Sequence, residues 1–274
     1  MNKRETGRPF SGSILKWLAI LLMFADHVGA SLLEVFVLNG YGNSPLTGMV
    51  GHMEFWWSID RILRYIGRSA FPIFCFLLVE GAVHTRDIGK YARRLLVFAL
   101  VSEIPFDLMY GGTWFYPFHQ NVIWTLLIGL FGIHLMEKVR KKQKLWIFLP
   151  TAVLIVLVGS ALGTVGMVDY YGAGVLTLFV FYFFRGRKWW CFSGQLLALY
   201  WVNVELLGGL MYPIRLLGMD FELCQQGLAL LSLLPIWLYR GRQGCHTKVF
   251  QYSCYAFYPV HMLLLALVLN YVNR

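Results

Sequence analysis

The stretch "LKWLAILLMFADHVGASLL", residues 15 to 33, is an apolar run long enough to cross a membrane, and Asp26 and His27 interrupt it. An α-helix rises 1.5 Å per residue, so about 20 apolar residues span the ~30 Å hydrocarbon core of a bilayer. A charged side chain near the centre of such a helix costs about 2.5 to 3.5 kcal/mol on insertion scales. The stretch therefore predicts a membrane-spanning helix whose two polar residues are functional candidates, the alternative being that they pair with other helices to hold the bundle together.

The composition excludes an ordinary soluble globular protein. Of the 274 residues, 58% are hydrophobic and 14% are charged, and the mean hydropathy is +0.59. Segments of about 17 to 25 predominantly apolar residues indicate spanning helices. Nine segments qualify, near residues 15–38, 69–85, 91–110, 120–137, 145–162, 168–184, 189–208, 221–239 and 250–271. No linker or internal repeat divides the chain, so we expect an all-α polytopic membrane helical bundle formed by a single domain, residues 1–274.

Basic residues alternate between heavy and light connections, as expected for a polytopic membrane protein. Most of the 24 Lys and Arg residues fall in the N-terminal segment and in alternate loops, such as "RKKQK" at 140–144. This pattern predicts a cytoplasmic N-terminus, an outside C-terminus and a location in the bacterial inner membrane. The net charge of +10 is then explained by orientation and by anionic membrane lipids, not by nucleic-acid binding.

Two further patterns concern the longest loop and the cysteines. The connection at residues 39–67 mixes Trp56, Trp57, Asp60 and Arg64, which predicts either an amphipathic helix lying on the lipid surface or a lid over a site. The five cysteines are widely spaced and form no C-x-x-C group, so neither a zinc site nor a disulfide framework is predicted, and we expect no metal.

Several ionisable residues are predicted inside the membrane, each about 11 or 12 residues into its helix. They are Asp26, His27, Glu80, Glu103 and His261. Adjacent helical residues point ~100° apart, so Asp26 and His27 cannot pair tightly with each other. Each needs a partner on another helix, which Glu80, Glu103 or His261 could supply.

A neutral imidazole is suited to take a proton from an attacking amine or hydroxyl near pH 7, as acyl transfer requires. Lys16 precedes His27 by eleven residues, which places the two about 16 Å apart along a helix. A donor with a phosphorylated head and a thin reactive arm, such as acetyl-CoA, fits that separation. The loop "HTRDIGKYARRLL" adds guanidinium groups that match phosphate oxygens, although its charges also fit a purely topological role. Donor binding is assigned to Lys16, Arg86, Arg93 and Arg94.

Several stretches together resemble the TraX family of integral-membrane proteins, whose founding member acetylates the N-terminus of conjugative pilin. They are "LKWLAILLMFADHVG" (15–29), "IGRSAFPIFCFLLVEGAVHTRD" (66–87), "KYARRLLVFALVSEIPFDL" (90–108), "QNVIWTLLIGL" (120–130), "DYYGAGVL" (169–176) and "FYPVH" (257–261). The resemblance implies a membrane acyltransferase. Its matching positions are Asp26, His27, Arg68, Glu80, His84, Arg86, Arg94, Glu103, Asp107, Asn121 and His261.

Our leading hypothesis is transfer of an acetyl or short acyl group from cytoplasmic acetyl-CoA to an envelope-facing acceptor, a pilin N-terminus or a surface polymer. His27 is the general base, and Asp26 or Glu80 orients it. Catalysis is assigned to Asp26, His27, Glu80 and Glu103. Substrate contacts are assigned to Arg68, Asp107, Asn121 and His261, although Asp107 and Asn121 at helix ends could instead cap helices. The alternatives are a proton-coupled transporter and a non-catalytic membrane component of a conjugation or secretion system.

Overall fold

The computed structural model describes residues 10–38, 53–216, 218–245 and 247–272, and most of these residues are helical. The chain forms α1 (Gly12–Val28), which continues as a π-helix (Gly29–Leu38), then α2 (Met53–Gly67), α3 (Ala70–His84), α4 (Ile88–Tyr110), α5 (Val122–Lys142), α6 (Leu145–Val165), α7 (Tyr171–Phe183), α8 (Trp189–Tyr200), a second π-helix (Trp201–Leu206), β1 (Met211–Leu216), β2 (Met219–Cys224), a 3-10 helix (Gln225–Ser232), α9 (Leu233–Trp237) and α10 (Lys248–Val272).

Five helical stretches among the described residues are long and apolar enough to cross a membrane. They are Gly12–Glu34, Glu54–His84, Val122–Lys142, Leu145–Val165 and Lys248–Tyr271. The helical membrane class is confirmed, whereas the count of nine spans and the orientation of the termini remain predictions. The helix predicted at 91–110 is present as α4, but its charged residues separate it from these five, and α7 has only 13 residues.

The helix predicted over residues 221–239 is wrong at its start, where β2 forms, whereas residues 225–237 are helical as a 3-10 helix followed by α9. β1 and β2 pair as an antiparallel hairpin in which Arg215 lies opposite Asp220, and the 3-10 helix follows. Gly218 has φ +83° in the turn, a conformation that glycine adopts without steric cost. Alternating charged residues, Asp220 and Glu222, suit a strand with one solvated face, and hydropathy alone did not reveal this alternation.

The helix expected within residues 39–67 is present as α2, and residues 39–52 lie outside the described part of the chain. Asp60 of α2 is 4% exposed, and Arg64 reaches the carboxylate of Asp26 on α1. Arg68 and Ser69 form the turn between α2 and α3. The polar side of α2 therefore covers the end of α1.

Glycines allow α6 and α7 to pack at short range. A Cβ at Gly163 would lie 2.9 Å from the carbonyl oxygen of Tyr171, and one at Gly172 would lie 2.5 Å from that of Ser160. Small residues of this kind let helix backbones approach closely in membranes, where van der Waals packing holds helices together. The same arrangement buries Gly159 and Gly163 of the "GSALG" motif at 159–163, whereas Ala161 and Leu162 are exposed.

We expect Gly172→Ala to lower the free energy of unfolding by about 1 to 3 kcal/mol, because the added methyl group must displace the Ser160 backbone. Thermal unfolding in detergent measures the change. Gly89→Ala is the control, since a Cβ there lies 3.4 Å from its nearest neighbour, an ordinary contact. Equal melting temperatures for the two variants would contradict the close packing of α6 on α7.

Candidate functional site

Asp26 is the centre of a buried ion-pair network. Its Oδ1 lies 2.8 Å from Nη1 of Arg64 and 2.5 Å from Nη2 of Arg68, and the residue is 8% exposed. A lone carboxylate in this environment would be costly, whereas one paired with two hydrogen-bonding guanidinium groups is stabilised. Gly67 makes the approach possible, because a Cβ at this position would overlap the Asp26 side chain.

The network extends from Asp26 to other helices. Nε of Arg64 lies 3.0 Å from Oε1 of Glu34 in the π-helix. Arg68 donates to Oε1 of Gln226 at 3.3 Å, and Gln226 donates to Oδ1 of Asn203 at 3.3 Å. These contacts join α1, the α2–α3 junction, the second π-helix and the 3-10 helix. Asp26 and Arg68 therefore hold helices in place.

His27 has a different partner from the two carboxylates that we expected to orient it. Its Nδ1 lies 2.6 Å from Nε2 of His261 on α10, and the two rings are nearly parallel with centroids 5.0 Å apart. Asp26 is held by the arginines, and Oε2 of Glu80 lies 4.0 Å from Nδ1 of His84. Of the three partners considered from sequence, His261 is the one that the structure provides.

The hydrogen bonds determine which ring nitrogen of His27 is free. Nδ1 of His261 lies 2.7 Å from the carbonyl oxygen of Phe257, which only accepts, so this nitrogen carries the hydrogen. A neutral imidazole has one N–H, and Nε2 of His261 is therefore an acceptor. His27 then donates from Nδ1, which leaves its Nε2 with an available lone pair. Nε2 makes no hydrogen bond within the described residues.

A cavity of about 560 Å³ opens beside this pair. Its polar lining is formed by Lys16, Glu80, His84 and Arg94, and its aromatic lining by Tyr91, Tyr239, Tyr255 and Tyr258. His27 does not itself line the cavity. Tyr258 lies between the two, with its ring centroid 6.2 Å from that of His27. The histidine pair therefore adjoins the end of the cavity formed by Tyr258.

A second, basic pocket of about 440 Å³ adjoins the cavity and shares Thr85 and Arg94 with it. Its other lining residues are Arg86, Asp87, Lys90, Arg93 and Tyr252. The structure thus brings Arg86, Arg93 and Arg94 together, and Lys16 lines the cavity next to them. Nε of Arg94 is buried and has no hydrogen-bond partner among the described residues. This pocket can attract a phosphorylated group.

Glu103 and Asn121 form a separate clamp between α4 and α5. The Asn121 side chain donates to Glu103 and to the carbonyl oxygen of Ala99 (2.9 Å), and its Oδ1 accepts from Ile123 N at 3.0 Å as the cap of α5. The indole of Trp124 also donates to Glu103 at 2.8 Å. These hydrogen bonds join α4 to α5, and neither residue contacts His27 within the described part of the chain.

Asp107 and His119 make polar contacts in the loops next to this clamp, between α4 and α5 and between α6 and α7. Oδ2 of Asp107 accepts from the backbone N–H of Tyr116 at 2.9 Å. Nε2 of His119 lies 3.6 Å from Oδ1 of Asp169, which precedes α7. This nearby carboxylate raises the pKa of His119 above its usual value.

Sequence reasoning missed Arg64 and Tyr258 as site residues. Arg64 is four residues before Arg68, a spacing that places both guanidinium groups on one face of a helix. That spacing could have predicted that the two side chains bind one carboxylate. Tyr258 is three residues before His261 and offered no signal distinguishing it from the other tyrosines.

The fold and the site define a helical membrane protein with a buried polar centre and a cavity of mixed polar and aromatic lining. The family model described as "TraX protein" matches residues 11–269, and the chain belongs to this family. It is 27% identical over 274 residues to the "Probable fimbrial assembly protein FimC, serogroup H1" of Dichelobacter nodosus, covering 93% of this chain and 94% of that protein. No solved structure matches the chain.

We expect Asp26→Asn to lower the free energy of unfolding by about 3 kcal/mol, because it leaves Arg68 without a counter-charge. The value is at the low end of such effects since Glu34 still faces Arg64. Denaturant unfolding in micelles measures it. Asp87→Asn is the control, because exposed Asp87 pairs with Lys90 on the surface and asparagine also caps α4. Equal free energies of unfolding for the two variants would contradict a stabilising role of the Asp26 ion pairs.

The His119–Asp169 pair predicts a pH dependence. A raised pKa in the folded state means that the pair stabilises the protein fully below the unfolded value of about 6.5, and that this contribution is lost as pH rises through the folded value. The difference in melting temperature between wild type and His119→Gln should therefore be larger at about pH 5.5 than at about pH 9. A difference that grows with pH would contradict the pairing.

Proposed function

We propose that this protein is a membrane-embedded acyltransferase that moves an acetyl or short acyl group from cytoplasmic acyl-CoA to an amine or hydroxyl of an envelope-facing acceptor. The observation that carries the proposal is the free Nε2 of His27, held beside a cavity whose other end joins a basic pocket. The proposal places the chain in the bacterial inner membrane with its N-terminus in the cytoplasm, as the loop charges predict.

The paired pockets fit the shape and charge of the donor. A cavity of about 560 Å³ lies within the usual range for small-molecule sites. The basic pocket would hold the phosphates through Arg86, Arg93 and Arg94. Lys16 would contact the donor where the phosphates join the thioester arm. The thin arm would then run along the aromatic lining toward Tyr258, over the ~16 Å that separate Lys16 from His27 along α1.

His27 would act as the general base. Its Nε2 takes the proton from the acceptor as the acceptor nitrogen or oxygen bonds to the thioester carbon. The C–S bond then breaks, and the CoA thiolate leaves and receives the proton from His27. His261 is a positioning residue, because its hydrogen bond fixes the tautomer of His27 and becomes charge-assisted when His27 is protonated.

The printed name of the Dichelobacter relative favours a pilin or a related fimbrial subunit as the acceptor. The same name supports a second candidate function, in which the chain is a non-catalytic component of fimbrial assembly. The two candidates differ in what happens when His27 is replaced. An assembly component would lose packing only, whereas an enzyme would lose group transfer.

The test is label transfer from radiolabelled acetyl-CoA to membrane extract or to a fimbrial subunit, with the protein in lipid nanodiscs. We expect wild type to label an acceptor and His27→Ala to reduce the rate by about 10²- to 10⁴-fold, the usual contribution of a general base. His261→Ala should reduce it less, because the base remains while its orientation is lost. Equal labelling by wild type and His27→Ala, or none by either, would refute the proposal.

Donor binding has its own test. Arg94→Ala should weaken the affinity for acetyl-CoA, measured by calorimetry, because Arg94 lines both pockets. Lys142→Ala is the control, since Lys142 is an exposed residue at the end of α5 and lines neither pocket. Equal affinities for the two variants would remove the basic pocket from the donor site.

A further inference from the structure

Tyr258 lies where the cavity meets the histidine pair. It is on α10, one turn before His261, and is 7% exposed. Its ring centroid is 6.2 Å from that of His27 and 5.8 Å from that of His261. Within the described chain, it is the cavity-lining residue that makes ring contacts with both imidazoles. An acyl group that reaches His27 from the cavity must therefore pass Tyr258.

Tyr258 shares the cavity with the beginning of α5. Val122, the first residue of α5, lines the same cavity. The hydroxyl of Tyr258 donates no hydrogen bond to the described residues. A phenol O–H is a hydrogen-bond donor, so it is available to a group bound in the cavity.

We propose that the hydroxyl of Tyr258 donates a hydrogen bond to the carbonyl oxygen of the acyl thioester. This inference rests on the proposed acyl transfer. When the acceptor attacks the thioester carbon, the C=O electron pair moves onto oxygen, and it returns as the C–S bond breaks. A donor aimed at this oxygen stabilises the negative charge that develops on it, so Tyr258 is a catalytic residue in this reaction.

Two phenols make ring contacts with His27, and of these Tyr258 lines the cavity whereas Tyr110 does not. Asp26 is occupied by Arg64 and Arg68, and His27 presents a lone pair, so neither can donate to a carbonyl oxygen. His261 has its one N–H on Phe257. The basic side chains Lys16 and Arg94 line the cavity toward the basic pocket. Tyr258 is the available donor beside the general base.

The test is Tyr258→Phe, which keeps the ring and removes the hydroxyl. We expect kcat for acetyl transfer to fall about 10²- to 10³-fold, as for loss of one oxyanion donor, while KM for acetyl-CoA and the melting temperature stay near wild type. Tyr271→Phe is the control on the same helix, because Tyr271 is 83% exposed and far from the cavity. It should transfer at the wild-type rate.

The outcomes separate this inference from the proposed function. If wild type transfers label, His27→Ala does not, and Tyr258→Phe keeps the wild-type kcat, the oxyanion role is overturned while the enzyme stands. A raised KM with an unchanged kcat would mean that Tyr258 contributes to donor binding only, and this would also overturn its oxyanion role. Absence of transfer by wild type would remove both proposals.

A second variant covers the case in which Tyr258→Phe fails to fold. Incorporation of 3-fluorotyrosine at position 258 preserves the shape and makes the phenol more acidic, hence a stronger donor. We expect kcat to change by a few-fold with KM unchanged, an effect that a purely structural tyrosine would not produce. An unchanged kcat in the fluorinated protein would overturn the inference.

Discussion

The pairing of Asp26 with Arg64 and Arg68 is the interaction on which the rest of the site depends. It joins the end of α1 to the turn between α2 and α3 in a place where an unpaired charge would be costly. Adjacent helical residues point ~100° apart, so fixing Asp26 toward the arginines turns His27 toward α10. The ion pair thus sets the direction of the imidazole without touching it, and His261 completes the orientation.

The ionisable residues predicted to lie at a similar depth in the membrane make different contacts in the structure. Asp26 and Arg68 hold the α1 end, Glu103 and Asn121 hold α4 against α5, and His27 with His261 is left with a free lone pair. Membrane helices lack a hydrophobic drive to associate with one another, so polar contacts and close glycine packing supply much of the specificity. Buried polar groups therefore join helices in two places, and in a third the His27–His261 pair keeps one nitrogen without a hydrogen bond to the described residues.

The sequence predicted the helices that are long, apolar and nearly free of charge, such as α1, α5 and α6, because hydropathy and length determine them. It failed at the β1–β2 hairpin, where Gly218 and cross-strand pairing decide the structure. Among candidate site residues, burial cost and phosphate chemistry pointed to His27 and Arg94, and their roles stay predictions. The sequence did not single out the partner of His27, since three residues satisfied the same rule and only tertiary packing chose His261. Asn121 followed the capping alternative.

The hydrogen bond from His261 to the Phe257 carbonyl has a consequence for proton traffic. A backbone carbonyl accepts a hydrogen bond but does not pass a proton onward, so the imidazole chain terminates on α10. A proton taken up at Nε2 of His27 therefore has no exit through this chain and must leave by the same ring edge at which it arrived.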